Sequence, residues 1–297
     1  MGGRHAVALF PVVLTVAGPC LAEDTFRTEA GLSYSKLSSD TERQKTAGVD
    51  ATYYFDNLPS QPSDTPYEQV PFVERVGGVS ANYALTSSDR DNVERLGNGY
   101  DYGAAVQFAV PQTFFRAAAV YEFLKFGRER QAGQESESEV KAYRASIGAY
   151  VAKTTAVDLI WSRSKTTTTF SNSGSFDVTV DSVGLSGQHL ARLPSGGHVA
   201  INASVTQLTL KSEGLPTEKN REFLVQAIYY PTKMLGLKLG IMTDRGDEDS
   251  LEGEHYILGI RSFFTSAFSL SLDYEKFSAK TSGNDFDAIM LRGALRF

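Results

Sequence analysis

The chain has 297 residues, a net charge of −6 and a single cysteine. The excess of acid excludes a basic groove for nucleic acid, and one cysteine excludes an internal disulfide. A mean hydropathy of −0.22 does not exclude a membrane protein, because the lumen-facing polar residues of a barrel average out its lipid-facing apolar ones. Residues 1–22 read as a secretory signal: Arg4 supplies the positive region, Ala6 to Ala17 the apolar stretch, and Cys20 and Ala22 the small residues before Glu23. Pro19 is a poor fit to a lipidation box at Cys20, so cleavage after Ala22 is expected. Residues 23–297 then form the mature chain, with no thiolate nucleophile and no cysteine metal site. No later segment approaches the ~18 uninterrupted apolar residues of a membrane helix.

From Phe26 to Phe297 the chain falls into about fourteen short runs of alternating character. In the first, Phe26, Thr28, Ala30, Leu32 and Tyr34 fall on one side and Arg27, Glu29, Gly31, Ser33 and Ser35 on the other. The predicted strands are 25–36, 46–56, 74–86, 99–110, 114–126, 140–151 and 156–165, then 176–188, 197–210, 221–230, 235–243, 254–264, 267–277 and 286–297. Two segments leave twelve strands open as an alternative: 117–126 also fits a helix, and 176–185 changes parity near Asp181, which requires a bulge.

The connections alternate in kind. Odd ones, such as 87–98, 127–139, 211–220 and 244–253, are long and charged, whereas even ones, such as 111–113, 152–155, 231–233 and 265–266, are tight. One even connection departs from this: 57–71 holds Pro59, Pro62, Pro66 and Pro71, too many for a ladder strand. It is either an extended turn or a segment folded into the lumen. The acidic residues of the long connections, including Asp89, Asp91, Glu94 and the group from Asp244 to Glu252, suit a lipopolysaccharide surface bridged by divalent ions or serve solubility alone.

Charge placement tests this register, since an Arg or Lys facing lipid at the bilayer midplane costs ~2–4 kcal/mol. The outward sets, such as Val79, Ala81, Tyr83 and Leu85, or Leu235, Leu237, Leu239 and Ile241, contain no charge. Aromatic residues gather at predicted strand ends: Tyr53, Phe55, Phe115, Tyr229, Phe263 and Phe268 at one side, and Tyr34, Tyr100, Tyr102, Trp161 and Tyr256 at the other. Two such belts anchor a barrel at its interfaces. The reading is an all-β fold, a transmembrane antiparallel up-and-down β-barrel of about 14 strands.

At the end of the chain Ile289, Leu291, Gly293, Leu295 and Phe297 alternate outward. This resembles the insertion signal by which Gram-negative outer-membrane proteins are recognised by the barrel-assembly machinery, with Leu295 and Phe297 matching and Gly293 one place off the commonest glycine position. The mature chain resembles the porin-like outer-membrane barrels, a group often described as general porins. The resemblance implies a cell outer-membrane location after export, outer-membrane lipids and lipopolysaccharide as surroundings, and passive diffusion of small hydrophilic solutes without a cofactor. The alternative is a non-conducting barrel with a structural, adhesive or assembly role.

For a channel, the working residues face the lumen. The register places Arg27, Glu29, Asp50, Arg116, Glu122, Arg144, Asp158, Lys238, Arg261, Asp273 and Arg292 there, along with Glu275 and Arg296. Rows of such charges set ion preference. The signs nearly balance, so weak selectivity is expected, and the same charges also serve to pair across the wall. Arg116, Arg144 and Arg261 are the candidates for a constriction. The small residues Gly31, Gly48, Gly78, Gly103, Ala118, Gly148, Gly240 and Gly259 are expected to leave the lumen open. Catalysis finds little support: the mature chain holds only His189, His198 and His255, and Ser186 beside His189 is the sole serine-histidine proximity of note. The run from Asp244 to Glu252 lacks the ligand spacing of a calcium loop.

Overall fold

In the computed structural model, residues 24–40, 42–90, 94–95, 97–109, 113–131, 134–172, 174–212, 216–246, 253–279 and 285–297 are described. The expected signal segment, the turn at 111–112 and the acidic run 247–252 lie outside the described residues.

Fourteen long strands close into one antiparallel barrel. They are β1 (Thr25–Ser39), β2 (Glu42–Pro59), β3 (Gly78–Arg90), β5 (Gly99–Ala109), β6 (Phe115–Lys125), β8 (Gln134–Ala152) and β9 (Thr155–Phe170), then β10 (Gly174–Arg192), β11 (His198–Ser212), β12 (Glu218–Thr232), β13 (Leu235–Gly246), β14 (Gly253–Phe263), β15 (Phe268–Ala279) and β16 (Phe286–Arg296). Two short strands, β4 (Glu94–Arg95) and β7 (Glu129–Gln131), pair with each other and extend the sheet from β8. Every long strand pairs with its chain neighbours, and β1 closes on β16. Closure leaves no free edge, which a chain surrounded by hydrocarbon requires. The tight turns and both described chain ends share one rim, called here the terminal rim; the long connections share the far rim.

The outward parity follows the sequence pattern. Leu32, Tyr34, Val79, Tyr83, Leu85, Phe108, Ile147, Leu159, Trp161, Val225, Leu239 and Leu272 all stand exposed on the outer wall. Residues 117–125 are strand within β6, and β10 pairs on both sides without a register break, so the helix alternative and the expected bulge are both corrected. Asp181 keeps its outward parity because Arg163 and Lys211, outward on the flanking strands, bind it at 2.6 and 3.0 Å.

Two aromatic residues expected outside are inside. A register shift between Phe26 and Thr28 reverses the parity of β1, and Phe26 is buried against Leu58, Val70 and Val76. Phe263, expected in the belt, is also buried and meets Tyr67 edge-on at 5.4 Å. Only Phe26 is turned by a register shift; Phe263 holds the inward parity of Arg261 along an unbroken ladder, and both rings meet the same partner. The proline-rich connection folds inward and supplies an apolar partner within the mouth.

That connection forms the only core of the molecule among the described residues. After Pro59 it runs to a 3-10 turn, Tyr67–Gln69, and a single helical turn, α1 (Val70–Val73), which has Pro71 in its first turn. Proline fits there because its missing N–H has no helical partner to lose. Arg75 then takes a left-handed backbone with φ of 55°, a conformation costly to a residue with a Cβ, and its guanidinium donates to the carbonyls of Thr113 and Ala152 at 3.1 and 3.2 Å. Two apolar clusters seat the segment: Phe72 and Val73 against Tyr150, Ala156, Leu190, Ala200, Ile228 and Tyr230, and Val70 and Val76 against Phe26 and Leu58.

Candidate functional site: a charge-lined lumen with a plugged mouth

The plug is tied to the wall in every direction. Glu68 accepts from the Tyr230 hydroxyl at 2.9 Å and from Arg261 at 3.3 Å, while Gln69 donates to the same hydroxyl at 2.8 Å and accepts from Gln188 at 3.2 Å. Arg296 donates to the Tyr67 carbonyl at 2.9 Å. Lower down, Lys233 donates to the carbonyls of Pro62 and Ser63, and Arg192 pairs with Asp64 at 2.8 Å. Strands β10, β12, β14 and β16 thus each hold one end of a contact to the plug.

Behind Glu68 the wall carries a compact charge cluster. Arg296 Nε donates to Glu29 at 2.8 Å, and Arg292 bridges Glu29 and Asp50, gripping Asp50 through Nε at 3.0 Å and Nη2 at 2.7 Å. Arg261 stands 3.5 Å from Glu29. Lys238 and Asp273 pair at 2.5 Å beside this cluster. A cavity of about 170 Å³ lies against it, bordered by Glu68, Lys238, Arg261, Ser271, Asp273 and Arg292. On the opposite wall Arg116 meets Asp158 at 3.0 Å and lies over the rings of Phe72 and Tyr150.

The structure brings together eight of the eleven residues predicted to line a pore into ion pairs at plug level on two walls: Glu29, Asp50, Lys238, Arg261, Asp273 and Arg292 on one, and Arg116 with Asp158 as a separate pair on the other. Glu122 and Arg144 face the lumen farther toward the far rim, and Arg144 makes no ion pair among the described residues. Arg27 does not join them. It lies at the terminal rim near the Tyr53 hydroxyl (3.3 Å) and Asp56 (4.0 Å), on the far side of the register shift that turns Phe26 inward.

The lumen glycines do not open the pore as expected. A Cβ at Gly31 would lie 2.6 Å from Asp50 Oδ1, one at Gly148 2.2 Å from Asp158 Oδ1, and one at Gly259 2.2 Å from Asp273 Oδ1. Each glycine sits directly across the ladder from that aspartate. The space is filled by charged side chains lying over the glycines. Sequence reasoning also missed Glu68, Gln69 and Tyr230; the four prolines were the available signal, and they marked the segment without giving its path.

Gly293, Leu295 and Phe297 belong to the outward parity of the last strand, with the Phe297 N–H donating to the Thr28 carbonyl at 2.9 Å. Ser186 and His189 lie on opposite faces of β10; His189 Nδ1 is 2.7 Å from the Thr155 hydroxyl.

No family model matches the chain, and no curated protein matches it. Among solved structures it is similar to the outer membrane protein Omp33 of Acinetobacter baumannii, with 15% identity, a TM-score of 0.58, and coverage of 92% of this chain and 99% of that one. It is also similar to a loop-deletion mutant of OmpT, an outer membrane protein of Vibrio cholerae, with 13% identity, coverage of 92% and 100%, and a TM-score of 0.48. A third is the translocator domain of the autotransporter NalP from Neisseria meningitidis, with 12% identity, coverage of 93% and 91%, and a TM-score of 0.48. The chain has the fold of Gram-negative outer-membrane β-barrels.

Proposed function

We propose that the chain spans the outer membrane with its terminal rim toward the periplasm, and that it conducts small hydrophilic solutes through a lumen narrowed at that rim by the plug. The observation carrying this reading is the lining: fixed charges of both signs face the lumen beyond Glu68, and side-chain hydrogen bonds of Glu68 and Gln69 join the plug to the wall at that level. Cavities of about 170 and 530 Å³ lie on the two sides of the plug. Diffusion needs no cofactor. With most charges paired, the net field in the lumen is small and ion selectivity weak.

A non-conducting barrel with a structural or assembly role has its own support in the two apolar clusters that seat the plug. Planar-bilayer recording on refolded protein separates the readings: discrete current steps support the channel, and a folded, inserted, silent barrel removes it. In the same reading Gly293, Leu295 and Phe297 present the insertion signal to the barrel-assembly machinery, and truncation of Phe297 slows assembly.

A further inference from the structure

The inner wall carries an apolar band where a barrel lumen is ordinarily polar. Leu224 on β12 faces Met242 on β13 across the ladder, Met242 faces His255 on β14, His255 faces Phe277 on β15, and Phe277 faces Phe286 on β16. These residues share the lumen-facing parity of Lys238, Arg261, Asp273 and Arg292, so five adjacent strands present one continuous row. The rings within it are packed: His255 lies 4.5 Å from Phe277, Phe277 stacks on Phe286 at 5.1 Å, and His255 meets Phe286 at 5.8 Å. All five residues are only partly buried. Ile257 and Met290, the latter 43% exposed, continue the band toward the cavity beside Glu68. Contiguous apolar surface left open to water marks a place where something binds.

The charge around the band is one-sided. At plug level cations and acids pair, but here Glu222 stands directly opposite Asp244, and Glu275 faces the lumen two residues from Phe277. Opposed like charges, with Cβ atoms ~5 Å apart, destabilise a sheet. Glu222 and Glu275 have no ion-pair partner among the described residues, and Asp244 has only His255, 3.9 Å away. Both glutamates act electrostatically on His255, and Arg144 acts on Glu222 from β8. Even with His255 protonated, the three acids outnumber His255 and Arg144.

We infer that the band binds water-soluble organic cations with an apolar body, aromatic ammonium ions being the simplest case. The ring lies against Met242, Phe277 and Phe286, and the cationic head points toward Glu222 and Asp244. Charge complementarity argues for this occupant, and aromatic faces attract a cation as well as shelter its apolar body. At the inner end of the band the cavity of about 170 Å³ has room for one such ring, since a cavity of ~150 Å³ accepts benzene. The inference deepens the channel reading by naming its solute class; it rests on that reading for passage, while binding requires only the lumen.

The test is equilibrium dialysis of radiolabelled probes against liposomes carrying the full refolded barrel, with protein-free liposomes as the blank. The probes are benzyltrimethylammonium, tetramethylammonium, which lacks the ring, and benzoate, which reverses the charge. Wild type binds the first about tenfold more tightly than either of the others. Phe277→Leu, which keeps bulk and removes the ring, and the double variant Glu222→Gln with Asp244→Asn each weaken that binding about tenfold. Different gel migration of heated and unheated samples verifies folding, and either folded variant suffices for the comparison. Equal binding of the three probes, or unchanged binding in a folded variant, overturns the inference. Absence of binding by wild type overturns it too; shielding of Met242→Cys from a small thiol reagent then identifies a segment of this chain as the cover of the band. Binding by a barrel that is silent in planar bilayers upholds the inference and removes the channel, whereas current steps without binding do the reverse.

Discussion

Arg116 and Asp158 stand on β6 and β9, two strands that are not neighbours, and meet at 3.0 Å over Gly148 of the strand between them. Lys238 and Asp273 repeat the relationship over Gly259. Strands two apart are separated by ~9.6 Å, a gap that only side chains laid flat along the wall bridge, and only a residue without Cβ lets them lie there. Burial of such a pair is not evidence of stabilisation in itself, but removing one partner costs ~3–5 kcal/mol. The glycines are therefore conditions for the pairing.

Gly148→Val is expected to lower barrel stability by at least about 3 kcal/mol, through the lost pair and the overpacking it forces. Its Cβ would meet both Asp158 Oδ1 and the Val157 carbonyl at 2.2 Å. Gly187→Ala, whose Cβ would meet nothing closer than 3.8 Å, is expected to be nearly neutral. Urea titration of both variants in detergent checks the contrast, and equal stabilities refute it.

Tyr230→Phe removes the hydroxyl that donates to Glu68 and accepts from Gln69. A hydrogen bond to a charged group contributes ~1.5–3 kcal/mol, so the plug loses one of its main tethers while the ring still fills its place. In single-channel records the variant is expected to spend more time in conducting states. An unchanged open probability places the tether outside the control of flow.

Leu58→Ala opens a void beneath the plug, where Leu58 is fully buried among Phe26, Val70 and Val76. A loss of ~2–5 kcal/mol is usual for such a truncation. Leu58 is a ladder residue of β2 opposite Phe26, but the void opens toward Val70 and Val76 of the plug, so cleavage within residues 60–66 by added protease should accelerate more than the barrel's thermal transition falls. A lowered transition with protected plug would contradict the division.

Arg144→Glu is expected to shift the reversal potential in a salt gradient toward cations, since Arg144 faces the lumen without an ion-pair partner among the described residues. The paired charges behave otherwise. Replacing both Arg116 and Asp158 by Gln and Asn removes one charge of each sign and should leave the reversal potential in place. A larger shift in the second variant than in the first reverses the assignment.

Much of the barrel was legible in the sequence because its causes are local. Alternation in β8, β11 and β13 is imposed residue by residue by hydrocarbon on one side and water on the other, so parity alone located Ile147, Ile201 and Leu239 outside and Arg144, Asn202 and Lys238 inside. Asp181 broke the reading only because an outward charge beyond the lipid resembles a slip of register. The lumen was less legible. Phe26 read as outward and Phe263 as a belt residue, although Phe263 shares the parity of lumen-facing Arg261, and nothing in their strands foretold a partner arriving from 67–76.

What the sequence determined, then, is the wall: strand periodicity, the uncharged outer face and the tight turns follow from backbone geometry and the cost of charge in lipid, which act over a few residues. What tertiary structure alone decided is the content of the mouth and the pairing of charges. Which cation meets which acid depends on the stagger between strands far apart in sequence, and the inward course of the proline-rich segment depends on Tyr230, Tyr150 and Arg261 being assembled around it, contacts that exist only once the barrel closes.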